Sequence, residues 1–467
     1  MKSPLNNDTI AALATAPGVG AIAVIRLSGN DAFKIGSTVF KKKKSKETDI
    51  SRFVSHTVHY GEIIHTTNPI DEVMLTIFKA PNSYTGENVV EISCHGSKYI
   101  QEQILHLLVK QGARLATAGE FTFRAFMNGK FDLSQAEAVA DLISSNSATS
   151  HHIAMQQMRG GFSNKIKLLR DHLINFASLI ELELDFSEED VKFANEDELK
   201  KIVSSLQTTI ENLIDSFQLG NVIKNGIPVC IAGRPNAGKS TLLNSLLDEE
   251  RAIVSEIPGT TRDTIEDEIV IEGVRFRFID TAGLRHCTEA IEIAGIERTH
   301  QAMKQASIII YLFDVHELSC SDLQKDLDEL RQLQLIGNVE LIITGNKIDK
   351  EDGDYIKKEF SHFKDMLFIS SKEKYNLEEL EARLIHIFNE KLNTIPETII
   401  TNTRHKEALQ HTYTALARVG EGLNQKMSGE LLASDIRDAL HYLGLITGEV
   451  STDDLLKNIF GKFCIGK

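Results

Sequence analysis

The sequence predicts a multidomain chain: an α+β domain first, then an all-α helical domain interrupted by an inserted α/β domain. Three observations carry this. Strand-like apolar runs crowd the first ~125 residues. Proline falls at 4, 17, 69 and 81, then at 228, 235, 258 and 396, leaving 82–227 free for continuous helices. Between residues 227 and 345, buried-strand patterns alternate with amphipathic stretches, as in a mainly parallel sheet.

Each element follows from its own pattern. AIAVIRLSG, HTVHYGEII, EVMLTIFKA and NVVEISCHG read as strands of the first domain, followed by a helix from Lys98 to Gln111. The run KKKKSKETD (41–49) reads as a solvated loop. Ile166, Leu169, Leu173, Phe176, Ile180 and Leu184 recur at spacings of three and four, which marks an amphipathic helix. Ile436, Leu440 and Leu443 do the same after Pro396, so two helical blocks that pack on each other flank the inserted domain. IPVCIAG, VRFRFID, SIIIYLFD and VELIITG are its strands. We place the boundaries at 1–127, 128–222, 223–388 and 389–467.

Composition bounds the function. At 467 residues the chain has room for several cores, and 42% hydrophobic with 25% charged residues is ordinary globular usage. A net charge of -15 argues against a broad basic face for nucleic acid, though a local patch stays open. Cys94, Cys230, Cys287, Cys320 and Cys464 include no CxxC pair, which points to a reduced setting. MKSPLNNDTI lacks a signal-peptide core and no apolar run reaches membrane-spanning length, so the expectation is a cytoplasmic protein without a membrane partner.

The chemistry concentrates in the inserted domain. GRPNAGKS (233–240) fits G-x-x-x-x-G-K-[ST], follows a strand and opens a helix. Its glycines let backbone N–H groups close around phosphates, Lys239 reaches the β/γ oxygens, and Ser240 can hold Mg²⁺. DTAG follows the next strand, placing Asp280 near magnesium and the Gly283 N–H near a γ-phosphate, with Thr281 and Ala282 between. NKID follows VELIITG: after Asn346, Lys347 and Ile348, Asp349 offers two carboxylate oxygens to the N1–H and amine of guanine. Ser370, Ser371 and Lys372 line the base. Four motifs in this order resemble the GTPase family and predict GTP binding. Leu284 stands where Ras-like GTPases carry a water-orienting glutamine. Upstream, Ser255, Glu256, Ile257, Pro258, Gly259, Thr260 and Thr261 form a switch, with Thr261 the natural second magnesium ligand. The P-loop residues Asn236, Ala237, Gly238 and Thr241 complete the nucleotide set. The Asn236 side-chain oxygen suits a monovalent cation, as in potassium-activated GTPases.

DTIAALATAPGVGAIAVIRLSG (8–29), PNSYTGE (81–87), GEFTFRAFMNGK (119–130) and the terminal FCIGK together resemble the MnmE (TrmE) family of tRNA uridine-34 modification GTPases, over essentially the whole chain. The resemblance implies a tetrahydrofolate-binding-like first domain, a helical domain and an inserted P-loop GTPase domain. It implies a homodimer through the N-terminal domain and a heterotetramer with the FAD-binding partner MnmG (GidA). It also implies one-carbon transfer from 5-formyl-tetrahydrofolate or a related folate to C5 of wobble uridine in tRNA. Folate contacts fall on Arg26, Glu91, Lys130 and the terminal Lys467. Potassium falls to Asn236, the carbonyls of Ser255 and Ile257, and Thr260, with Mg²⁺ on Ser240 and Thr261. The resemblance further implies that Glu292 is the water-positioning catalytic residue. Ser371 departs from the family's usual alanine, and Pro258 stiffens the cation loop. A non-catalytic GTPase switch in ribosome assembly shares the P-loop and GTTRD sequence, but no basic RNA-binding domain follows the GTPase domain here.

The terminal Cys-Ile-Gly-Lys breaks the pattern of a prenylation box, since Gly466 and Lys467 occupy its last two places. Leu455, Leu456, Ile459, Phe460 and Phe463 give the preceding segment an apolar face to bury. Cys464 is then either an active-site thiol or part of an active-site wall.

Overall fold

In a computed structural model of the chain, the described residues are 8–43, 49–66, 68–185, 196–247, 267–279, 302–334, 339–350, 353–363, 365–392, 398–461 and 463–466. They form β1 (Ile10–Leu13), β2 (Ile22–Ser28), α1 (Ala32–Val39), β3 (Phe40–Lys42), β4 (Thr57–His65), β5 (Asn68–Phe78), β6 (Val89–His95), α2 (Lys98–Lys110), β7 (Arg114–Leu115) and α3 (Glu120–Met127). Four helices follow: α4 (Leu133–Ser144), α5 (Ala148–Met158), α6 (Gly161–Asp185) and α7 (Glu196–Asn225). The inserted region holds β8 (Ile227–Ala232), α8 (Lys239–Leu247), β9 (Asp267–Ile271), β10 (Val274–Phe278), β11 (Ile308–Asp314), α9 (Cys320–Gln334), β12 (Glu340–Asn346), α10 (Gly353–Glu359), β13 (Leu367–Phe368) and α11 (Leu377–Leu392). The last helices are α12 (Thr403–Asn424), α13 (Gly429–Thr447) and α14 (Asp453–Phe460).

The chain divides into two compact units, residues 1–140, 156–193 and 427–467 in the first, 141–155 and 194–426 in the second. In the first, seven strands run in the order β3-β4-β5-β6-β2-β1-β7, antiparallel except for the parallel β1–β7 pair. The four long strands read from sequence are all present. The short β1, β3 and β7 were not legible, because two to four residues carry too little alternation. Ile25, Leu27, Leu75, Ile77 and Ile92 alternate onto one sheet face and pack with Ile104 and Leu108 of α2. Helix α6 pairs with α13, and Ile166, Leu169, Leu173, Phe176 and Ile180 of its predicted stripe are buried. Phe460 of α14 packs edge-on to Phe123 of α3, centroids 5.2 Å apart.

The second unit holds six strands in the order β13-β12-β11-β8-β10-β9, parallel apart from the β9–β10 hairpin. Every inserted strand read from sequence is there. Strand β9 is an addition, turned into β10 by Glu272 (φ 47°) and Gly273 (φ 79°), the left-handed pair that a two-residue hairpin demands. Helix α7 pairs with α12. The flanking helical blocks thus pack on each other pair by pair, one pair in each unit. No helix among the described residues is long and apolar enough to cross a membrane.

An ion-pair network ties the first unit's motifs together. The Arg124 guanidinium, almost fully buried, donates to Asp8 Oδ1 (2.8 Å), Glu120 Oε1 (3.1 Å) and Glu87 Oε1 (3.1 Å). Arg114 donates to both Glu120 oxygens, at 3.0 and 2.6 Å. Burial alone would raise the Glu120 carboxyl; the hydrogen bonds from Arg114 and Thr117 outweigh it and hold it below its ordinary value, and Asp8 is likewise lowered. Carboxyls depressed in the folded state stabilise it above their unfolded values, near ~4, and that contribution is lost as pH falls through the lowered values. Removing Glu120 leaves the buried Arg124 and the exposed Arg114 each short of a partner. Glu120→Ala is therefore expected to destabilise the first unit by about 2–4 kcal/mol, read as a lower thermal midpoint that converges with wild type in acid.

Candidate functional site

The P-loop in the second unit is built by backbone geometry. Strand β8 ends at Ala232, and Gly233 turns at φ 145° where a Cβ would lie 1.9 Å from the Leu312 carbonyl. Asn236 adopts φ 64°, which asparagine tolerates better than most residues. Gly238 (φ 96°) has no room for a side chain, since a Cβ would meet Asn346 Nδ2 at 2.3 Å. Helix α8 then starts at Lys239, so its unpaired N–H groups face the loop. The Lys239 ammonium donates to the carbonyls of Gly233 (2.8 Å) and Arg234 (2.9 Å), holding its charge across the loop mouth. Ser240 sits half-buried in the first turn; Thr241 and Asn236 are exposed and Ala237 is buried.

Two loops converge beside it. Asn346, at the end of β12, donates from Nδ2 to the Ala237 carbonyl (2.8 Å). Its Oδ1 accepts from the Ser371 N–H and hydroxyl, both at 2.9 Å. The Ser371 carbonyl accepts in turn from Ser245 of α8 (2.6 Å). Ser370 donates to Asp349 Oδ1 at 2.5 Å, which fixes an exposed carboxylate at the rim where a base edge would meet it. Lys372 is exposed, Ile348 is buried, and Lys347 takes a left-handed φ of 70°. The expected alanine position is thus filled by a buried serine whose hydroxyl is satisfied.

Sequence reasoning missed a contact on the P-loop's outer side. Arg234 makes a two-point pair with Asp326 of α9, at 2.8 and 2.9 Å, and the Tyr311 hydroxyl donates to the same carboxylate at 2.5 Å. Burial and the neighbouring carboxylate push the Tyr311 hydroxyl up; Asp326 is lowered because its two donors outweigh its own burial. No local motif announces this pair, since 92 residues separate its members.

The first unit holds the other predicted group. Arg26 on β2 and Glu91 on β6 are cross-strand neighbours, joined by Nε and Nη2 to Oε1, both at 2.8 Å. The guanidinium also lies over the rings of Tyr84 (5.2 Å) and Phe121 (5.6 Å). Burial raises the Tyr84 hydroxyl, which meets Thr122 at 2.8 Å. The carboxyl-terminal tail is seated beside this pair. Ile465 bridges Ala118, the Gly119 N–H donates to the Cys464 carbonyl (3.4 Å), and Arg26 Nη1 donates to the Gly466 carbonyl (3.4 Å). Gly466 needs its φ of 98° there, where a Cβ would meet the Leu13 carbonyl at 2.1 Å. Cys464 is exposed, and so is Lys130 beside Gly86. Ser255, Glu256, Ile257, Pro258, Gly259, Thr260 and Thr261, Asp280 to Gly283, Glu292 and Lys467 lie outside the described residues.

Ser371→Ala removes one of two donors from Asn346 while leaving the backbone N–H in place. A loss of guanine-nucleotide affinity of about fivefold is expected by equilibrium titration with fluorescent GDP, with the unfolding free energy changed by no more than ~1 kcal/mol.

Comparison with known proteins fits this arrangement. The family model of the MnmE helical domain matches residues 133–464, and that of the GTP-binding protein TrmE N-terminus matches residues 9–130. The tRNA modification GTPase MnmE of Cytophaga hutchinsonii is 55% identical over 462 residues, covering 99% of this chain and 98% of that protein. Those of Flavobacterium johnsoniae and Bacteroides fragilis are 52% and 48% identical, each covering 99% of this chain and 100% of its relative. With the strand-by-strand order of the P-loop domain and near full-length identity in agreement, the chain belongs to the MnmE (TrmE) family of tRNA modification GTPases.

Proposed function

We propose that this chain is a potassium-activated GTPase that, with a flavin-dependent partner of the MnmG (GidA) type, adds a folate-derived aminomethyl or carboxymethylaminomethyl group at C5 of wobble uridine 34. Family membership carries the coarser part: the chain is a GTP hydrolase taking part in tRNA modification, with GTP and Mg²⁺ as ligands and tRNA as partner. The observation supporting the finer part is the seating of the carboxyl-terminal tail on Arg26, beside Glu91 and two aromatic rings. A P-loop switch alone has no need of such a site.

The residues divide the work. Lys239 holds positive charge over the P-loop, and Ser240 offers a hydroxyl at the start of α8, together with Thr261, for magnesium. Asn236 projects from a left-handed loop position where its oxygen suits potassium, with the Ser255 and Ile257 carbonyls and Thr260 completing the set. A bound cation there neutralises developing charge, as an arginine finger would, while Glu292 orients the attacking water, a role Leu284 cannot fill. Asp280 and Gly283 contact the magnesium and γ-phosphate side, and Asp349 reads guanine. In the first unit Arg26, Lys130 and Lys467 supply cations for a folate's glutamate tail, and Glu91 accepts from its pterin ring. FAD belongs to the partner protein. The assembly is a homodimer through the N-terminal domain, extended to a heterotetramer by that partner.

Two measurements test this reading. GTP turnover should be several-fold faster in K⁺ than in Na⁺ at equal ionic strength, and Asn236→Ala should abolish the difference; equal wild-type rates in both salts would sink the potassium site. Arg26→Ala should lose binding of 5-formyl-tetrahydrofolate while GTP turnover persists. Nucleoside mass spectrometry of a strain carrying only that variant should show loss of the C5 group on wobble uridine. Unchanged folate affinity and nucleoside content would reject the folate assignment.

A further inference from the structure

The turn that follows β11, Asp314 to Leu318, makes a second set of contacts to the NKID loop that no motif describes. Asp314 is the last residue of β11 and stands opposite Asn346 in the parallel register. Its carboxylate is almost fully buried, and Lys347 Nζ reaches Oδ2 at 2.7 Å with a side chain only a quarter exposed. The other oxygen, Oδ1, accepts from the His316 N–H at 3.0 Å. The His316 ring then closes on the same lysine from the far side, with Nε2 3.0 Å from the Lys347 carbonyl and donating to it. The Val315 N–H donates to the Asn346 carbonyl (3.3 Å). A Cβ on Gly345 would come 2.7 Å from Val315 Cγ1, so the absence of a side chain there leaves room for the valine of the turn against the end of β12.

We infer that Asp314 and His316 are positioning residues that hold the base-reading loop in its binding conformation through Lys347. Lys347 sits at φ 70°, a backbone state a lysine does not favour. Its long side chain has many rotamers to lose when a nucleotide binds. Clamped at its ammonium by Asp314 and at its carbonyl by His316, it has lost them already. Asn346 on one side and Asp349 on the other are then presented without an ordering step, which raises affinity by removing a cost rather than by adding a contact. Neither residue touches the loop through Asp349, so both act on the nucleotide at second hand. The inference rests on the NKID loop reading guanine.

The test is a double-substitution cycle on the full-length chain, reading GDP affinity by titration and GTP turnover as kcat and KM separately. Asp314→Asn keeps shape and size but removes the charge. It should weaken GDP binding by roughly tenfold to a hundredfold, with KM rising in step and turnover at saturating GTP changing less than about twofold. Lys347→Met should weaken binding too, and adding Asp314→Asn to it should cost little more, because the two act as one unit. His316→Ala should give a loss of a few-fold and should fold whatever the fate of Asp314→Asn, its thermal midpoint confirming this. Wild-type GDP affinity in both Asp314→Asn and His316→Ala, or fully additive losses in the Asp314–Lys347 pair, overturns the inference. Asp349→Ala separates it from the reading beneath: if that variant binds GDP like wild type, the loop does not read guanine and both fall. If Asp349→Ala fails to bind while Asp314→Asn and His316→Ala are both unaffected, the positioning role alone is rejected.

Discussion

The nucleotide site depends on one carboxamide. Asn346 joins the P-loop through the Ala237 carbonyl to the Ser371 loop through its oxygen, and three segments more than a hundred residues apart in their extremes meet at that group. The arrangement works because the backbone at Gly238 carries no side chain; a methyl there would occupy the place of the Asn346 nitrogen. A buried amide that has its donor and acceptor satisfied is rigid, and one left half-satisfied would be costly. Ser370 holding Asp349 and Arg234 held by Asp326 extend the same principle outward to the rim and the outer wall. The inserted domain is therefore pre-ordered at the described loops, with its ligand-facing groups set by protein contacts.

The first unit uses a different constraint. Its carboxyl terminus is a structural element: a short bridge at Ile465, a glycine in a left-handed turn against Leu13, and an arginine on the Gly466 carbonyl. Phe460 and Phe463, buried with Leu133 and Ala136, anchor the segment ahead of it. The opening motifs of the chain, PNSYTGE and GEFTFRAF, meet in the network of Glu87, Glu120 and Arg124, which positions α3 and hence both Phe121 under Arg26 and Gly119 under the tail. Sequence-distant motifs in this unit are thus parts of one support, and Cys464 is left exposed at its edge.

Legibility in the sequence followed signal strength. The long strands, the helical stripe of α6 and the P-loop context carry periodicity or a spaced motif, and these were readable. The two-residue β7 was not, since a strand that short is defined by its partner and not by its own pattern; the five-residue β9 was missed as well, because DEIVI opens on two acidic residues and only two of its five positions are buried. Motif residues such as Asn346 and Asp349 could be named, whereas Tyr311, Asp314, His316 and Asp326 could not. They are ordinary polar residues whose value comes only from what folds against them.

The sequence by itself determined the class of each region, the order of nucleotide motifs and the family, because local spacing encodes strand–loop–helix units and phosphate-binding glycines directly. Tertiary structure decided which helices pair, α6 with α13 and α7 with α12, and so how the flanking blocks are shared between two compact units. It also decided that Arg26 and Glu91 are partners, that the tail closes on them, and that a turn after β11 braces Lys347. The physical reason is common to all of these: they are contacts between residues far apart in the chain. Their free energy depends on burial and register, which exist only once the sheets have formed.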